Sequence, residues 1–209
     1  MILSKQHILT PANIGLAQLD SMMVKITKNN VDYADFYFQY SKSEFWSIED
    51  GAVKNGSFAI DQGVGIRSIS GEKTAFTYSD DISIDALNEA CKIVNSIKNQ
   101  GQSRAVPLHK PSKRKLLYPT SNPIDSIDNS LKIALLEKIE RTAKNLDPRV
   151  KKVSASLAAQ YEIILIKNFY GELIEDIRPL IRLSVSVIAE SSNKREQGSS
   201  GGGGRYNLD

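Results

Sequence analysis

The residues able to carry chemistry in this 209-residue chain are few, and their spacing narrows what they could do. Gly65 and Gly71-Glu72-Lys73-Thr74 suggest a phosphate loop, in which backbone N–H groups and a lysine cradle an anion. The spacing fails: five residues separate the glycines, and Glu72 stands between Gly71 and Lys73. Ala75-Phe76-Thr77-Tyr78 then reads as a strand, not as the helix whose N-terminus would hold the anion. Gly63-Val64-Gly65 misses the dinucleotide fingerprint, since Ser68 occupies the third glycine position. A hairpin turn accounts for these glycines.

Cys91 is the single cysteine, and the histidines, His7 and His109, are remote from it in sequence. On the apolar stripe of an expected helix it reads as a structural thiol rather than a nucleophile or ligand. With no His-x-x-x-His or His-Glu pattern and no cysteine cluster, no catalytic or metal-ligating residue is expected here. Glu49, Asp50, Asp80, Asp81, Glu172, Glu175 and Asp176 could act as acid, base or cation ligand. Most fall at expected strand ends and turns, where carboxylates cap N–H groups or face water.

Two compositional runs remain. His109-Lys-Pro-Ser-Lys-Arg-Lys115 is basic, but prolines interrupt it and no aromatic residues interleave for stacking on bases. With a net charge of only +3, no nucleic-acid partner is expected. The second run, Gly201-Gly202-Gly203-Gly204-Arg205, could be a flexible linker. Against that, it follows closely on an alternating strand and ends in Arg-Tyr, and four glycines let another backbone approach without side chains in the way. Gly201, Gly202, Gly203, Gly204 and Arg205 are therefore the candidate contacts for an extended peptide or a partner subunit.

The elements that must position these residues follow from periodicity. Thr10-Pro11 predicts a helix start, with Leu16, Leu19, Met23 and Ile26 on one face and Asn29-Asn30 at the end. From Val31 the period becomes two, with Ala34, Phe36, Phe38 and Tyr40 on one side. Further strand pieces are expected at 44–51 and 55–60, then a hairpin over 60–81 closed by Ser70-Gly71-Glu72-Lys73. Asp81 or Ser83 caps a helix with the stripe Ile84, Leu87, Cys91, Val94 and Ile97. Gln100–Asn129, rich in Pro, Lys and Ser, reads as a linker. Beyond it a helix over 130–146 with the stripe Leu131, Leu135, Ile139 and Leu146 precedes strands at 153–159, 161–167 and 172–177. Alternation of Ile181, Leu183, Val185, Val187 and Ala189 with polar residues predicts a final strand. The fold expected is α+β: two helix-plus-antiparallel-meander units, with helices packed on the sheets. The expected division is 1–99, a linker at 100–129, and 130–209.

The single cysteine fits a reducing compartment, and the N-terminus lacks a signal-peptide pattern. The longest apolar run, Ile163-Ile164-Leu165-Ile166, falls far short of the ~20 residues that span a bilayer. A soluble cytoplasmic protein is expected.

Glu49-Asp50-Gly51, Ile60-Asp61-Gln62-Gly63-Val64-Gly65, Ser70-Gly71-Glu72-Lys73-Thr74 and Tyr78-Ser79-Asp80-Asp81 form a recognisable set when taken together. These segments resemble the TldD/PmbA proteins, cytoplasmic metallopeptidases also labelled modulators of DNA gyrase. Near the end, Arg178-Pro179 through Val187, Lys194-Arg195-Glu196 and Ser199 through Arg205 match as well. The TldD branch fits better than the PmbA (TldE) branch. The resemblance implies a zinc enzyme hydrolysing unfolded or short peptides as a heterodimer with a TldE/PmbA-like subunit. It also implies that zinc is held by a His-Glu-x-x-x-His helix and a further Cys, all downstream of the glycine run and not Cys91. The sequence given stops at Asp209. The expectation is a shortened N-terminal portion, catalytically inactive alone, that shapes the chamber and partner interface; whether the chain is itself an enzyme stays open. The alternative is a stand-alone module that captures peptides or partners by β-strand addition.

Overall fold

Asp50 and Gly51 reverse the chain with φ of 50° and 77°, both in the left-handed region that a tight two-residue hairpin requires. This Asp-Gly turn joins two long strands, β1 (Tyr33–Glu49) and β2 (Ala52–Ser70). The computed structural model describes residues 3–28, 31–96 and 117–208. In it β2 turns through Gly71, at φ 58°, into β3 (Lys73–Ser79), with Ser70 opposite Lys73 as the hairpin spacing implies. The remaining elements are α1 (Leu16–Thr27), α2 (Ile84–Val94), α3 (Asn129–Leu146), β4 (Val150–Asn168), β5 (Leu173–Ser191) and β6 (Lys194–Gly204). The strands form one six-stranded sheet in the order β3-β2-β1-β4-β5-β6. Helices pack on the sheet, and the α+β class stands.

Two compact units are built from interleaved stretches of chain. Unit 1 takes Met1–Ser41, Asp61–Leu116 and Ile163–Asp176; unit 2 takes Lys42–Ile60, Leu117–Glu162 and Ile177–Asp209. In unit 1, β1 buries Ala34, Phe36 and Phe38, and β2 buries Val64 and Ile66. Leu19, Met22, Met23 and Ile26 of α1 and Leu87, Ala90, Cys91 and Val94 of α2 are buried in the same unit. Ser83 caps α2 as expected, its Oγ accepting from the Ala86 N–H at 3.2 Å. In unit 2 the core is Ile48, Leu136, Ala155 and Leu157, with Trp46, Ile139, Leu183, Val185 and Leu208 packed around it.

Several expected boundaries move. Thr10-Pro11 does not begin the first helix: a short π-helical turn at Lys5–Leu9 precedes it, and α1 starts after Gly15, whose N–H donates to Gln18 Oε1 at 2.7 Å. A glutamine reaching back satisfies an orphan donor as well as a capping hydroxyl does. The pieces expected at 44–51 and 55–60 belong to the long strands β1 and β2. Those at 153–159 and 161–167 are one strand, β4, and those at 172–177 and 181–189 are one strand, β5. Breaks in side-chain alternation mark a change of environment along a strand, not its end. Asn168-Phe169-Tyr170-Gly171 is a turn, as expected, and Asn168 Oδ1 accepts from Tyr170 and Glu172 N–H groups. Asn29-Asn30, Ile97 and the basic run at His109–Lys115 lie outside the described residues, as does most of the expected linker.

The stripe expected on α3 is corrected most sharply. Leu131 and Leu146 are exposed, while Lys132, Leu136 and Glu140 are buried. The buried face therefore carries two charges. Lys132 is matched by Glu44 on β1, and Glu140 by the Gly51 N–H at 2.9 Å and Lys144 at 2.7 Å.

Candidate functional site

β6 is an unfavourable strand by composition, since glycine and serine lose more freedom on ordering than they regain by packing. Pairing decides its structure. Ser184 lies opposite Gly201, Leu183 opposite Gly202, Arg182 opposite Gly203 and Ile181 opposite Gly204. β6 ends the sheet order, so one of its backbone edges has no strand partner among the described residues. Such an edge presents N–H and C=O groups to any extended chain that approaches.

The glycines are not equivalent. A Cβ at Gly201 would come 2.6 Å from the Leu183 carbonyl oxygen, and one at Gly203 2.2 Å from that of Ile181. At Gly204 it would meet the Tyr206 ring at 2.1 Å, whereas Gly202 faces open space. Close backbone packing thus demands glycine at 201 and 203, whereas at 204 the obstacle is the Tyr206 side chain and at 202 there is none.

Arg205 fixes the end of the strand. Its guanidinium lies 4.8 Å from the centroid of the Tyr118 ring, and Nη1 donates to the Pro179 carbonyl at 3.3 Å. Beyond it, Ser121 Oγ donates to Asn207 Oδ1 at 2.8 Å, and Leu208 packs against the unit 2 core. Arg205 therefore serves to anchor the strand, a use that residue type and position alone did not reveal.

On the face of β5 turned away from the core, Arg182 and Ser184 join Ser154 and Ser156 of β4 and reach Gly201, lining a groove of about 380 Å³. Among the described residues no carboxylate pairs with Arg182. The sequence placed Arg182 and Ser184 on one face of one strand; alternation alone could not show which residues of β4 would stand beside them.

The other candidates disperse. The Cys91 thiol is buried in α2 and pushed up to about 11 by desolvation, which the Lys25 ammonium only partly offsets. His7 packs against the Tyr40 ring at 5.7 Å, and His109 is outside the described residues. Glu175 accepts from the Ser4 N–H, Glu172 from Asn168 Nδ2 at 2.6 Å, and Asp81 from Ser83 Oγ at 2.7 Å. Asp50 lies 3.4 Å from the Lys144 ammonium. Among the described residues no three His, Cys, Asp or Glu side chains come together as metal ligands. The thiol is held neutral by burial, and of the carboxylates Asp81, Glu172 and Glu175 are engaged in local hydrogen bonds. No described helix is long and apolar enough to cross a membrane.

An α+β scaffold with a glycine strand at its sheet edge is the class that fold and site define. The chain belongs to the TldD/PmbA metallopeptidase family. The PmbA/TldA metallopeptidase domain 1 pattern matches residues 34–98, and that of the central domain matches 122–209. A metalloprotease TldD homolog of Haemophilus influenzae is 44% identical over 97% of this chain and 42% of its own length. One of Buchnera aphidicola from Schizaphis graminum is 40% identical over the same shares. The chain thus spans about two fifths of the length of these relatives. A solved structure from Thermotoga maritima, described as a modulator of a DNA gyrase, superposes with a TM-score of 0.73 at 16% identity, over 92% of this chain and 44% of that one. TldE from Thermococcus kodakarensis gives 0.68 at 13%, over 90% and 43%; both likenesses concern the fold.

Proposed function

We propose that these residues form the scaffold, substrate-facing wall and partner interface of a TldD-type zinc metallopeptidase acting on unfolded or short peptides in the cytoplasm. The observation that carries this reading is β6, a glycine strand held in register by β5 and anchored by Arg205, with its outer edge unpaired by any described strand. An extended peptide laid along it would complete main-chain hydrogen bonds, and the missing side chains would let it lie close. Zinc chemistry is assigned to polypeptide outside these residues, so this chain alone neither binds zinc stoichiometrically nor cleaves peptides. The division 1–99, 100–129 and 130–209 goes with the reading, and a TldE/PmbA-like subunit is the partner.

The test compares this chain with a full-length TldD-type protein carrying the same residues. Metal analysis and cleavage of an unfolded peptide should be negative for the chain and positive for the longer protein with its TldE-like subunit. Stoichiometric zinc with turnover in the chain alone would overturn the assignment. The open edge also favours a second reading, a stand-alone module binding by strand addition. Hydrogen exchange decides between them: β6 amides protected by peptide in the isolated chain support the second, and protection only in the assembled enzyme supports the first.

A further inference from the structure

The stretch Asp61 to Asp80 builds a second feature, within unit 1 and independent of the peptidase reading. Gly65 lies opposite Tyr78 and Arg67 opposite Phe76, so these four residues share the sheet face turned away from buried Val64 and Ile66. Tyr37 of β1 stands on that face as well, one residue from buried Phe36 and Phe38. The three rings border a groove of about 420 Å³ floored by Gly63 and Gly65. They are unusually open for aromatic residues, with Phe76 61% and Tyr78 80% exposed. Glycine keeps the floor low: a Cβ at Gly65 would come 3.0 Å from the Phe76 ring.

The charged residues that line this groove are both acidic, Asp61 and Asp80. Among the described residues neither is joined to a basic side chain. Rings present negative faces, so carboxylates beside three rings make a field that attracts a cation and repels phosphate. The same face already holds such a group. Arg67 bonds Asp35 at 3.2 and 2.5 Å and lies 5.5 Å from the Tyr33 ring centroid, a cation set between carboxylate and ring. An uncharged apolar occupant would cover the rings but leave the carboxylates desolvated and unpaired.

We propose that the groove over Gly63 and Gly65 binds a lysine or arginine side chain presented by another polypeptide, held between Tyr37, Phe76 and Tyr78 and neutralised by Asp61 and Asp80.

The experiment titrates the protein with N-acetylated Gly/Ser peptides bearing one central Arg, Lys, norleucine, Gln or Glu, following Gly63 and Gly65 amide and Phe76 and Tyr78 ring signals by NMR. Arg and Lys peptides should shift these signals and bind about tenfold tighter than norleucine or Gln, with Glu weakest. The D61N/D80N double variant and Tyr78→Ala should each weaken Arg-peptide binding several-fold. These side chains lie outside the buried core, and unchanged amide spectra elsewhere would verify the fold. Equal binding of norleucine, a preference for Glu, or shifts absent at millimolar Arg peptide would each overturn the proposal. So would binding that requires a free N-terminal ammonium, tested with unacetylated Gln peptide, or binding unaltered in both variants.

Discussion

The Lys132 ammonium on α3 sits 2.6 Å from a carboxylate oxygen of Glu44 on β1, with side-chain exposures of 2% and 5%. The ammonium also donates to the Ile124 carbonyl at 2.6 Å and to Asn129 Oδ1 at 3.1 Å, so three acceptors face its three protons. The other Glu44 oxygen accepts from Trp46 Nε1. Two buried charges are thus fully matched, which is the condition under which a buried pair is tolerated.

Removing one partner should therefore cost far more than removing both. Lys132→Met leaves a carboxylate stranded and should destabilise by about 3–5 kcal/mol, measured by urea unfolding. Adding Glu44→Gln, which keeps an acceptor for Trp46, should recover most of that loss. A single variant within about 0.5 kcal/mol of the parent, an effect typical of neutral surface changes, would show that the pair contributes nothing.

The glycine strand yields a positional prediction. Gly201→Ala and Gly203→Ala should each lower stability by about 1–3 kcal/mol, because the neighbouring backbone must move. Gly202→Ala, with nothing within 4 Å, should stay within about 0.5 kcal/mol. Equal thermal shifts for all three would contradict this account of close packing.

Cys91 should be nearly inert in the folded protein. Burial raises its pKa from 9.0 to about 11 by penalising the thiolate. The folded state holds the proton more tightly, so this contribution is complete below 9.0 and declines as pH rises toward about 11. A thiol-specific disulfide reagent at pH 8 should react only upon unfolding; fast native reaction would refute the burial.

Asp147 titrates in the opposite sense. Hydrogen bonds from the Arg149 side chain and N–H lower its pKa from 3.8 to about 2. Its contribution is therefore present above 3.8 and lost as pH falls toward about 2. Carboxyl NMR titration should show Asp147 moving back toward the usual carboxylate range in Arg149→Met. An unmoved titration would remove the guanidinium as the cause.

Much of unit 1 is determined by the sequence itself, because its signals are local. Period two over Ala34, Phe36 and Phe38, the Gly71 turn and the Ser83 cap depend on residues close in sequence, and each forms as its chemistry dictates. The family-like segments belong to this local layer too, which is why they were legible before any fold was known.

Only tertiary structure decided the rest. The apolar stripe of α3 pointed to Leu131 and Leu146, but Glu44, distant in sequence, lets Lys132 take the inside position. The glycine run became a strand because β5 supplies hydrogen-bonding partners that its own residues cannot, and Arg205 found its role through Tyr118 and Pro179. Asp61, Asp80 and the three rings border one groove only once β1, β2 and β3 lie side by side. Local propensity fixes which backbone conformations are inexpensive; which charges are matched and which surfaces converge depends on neighbours brought together by folding.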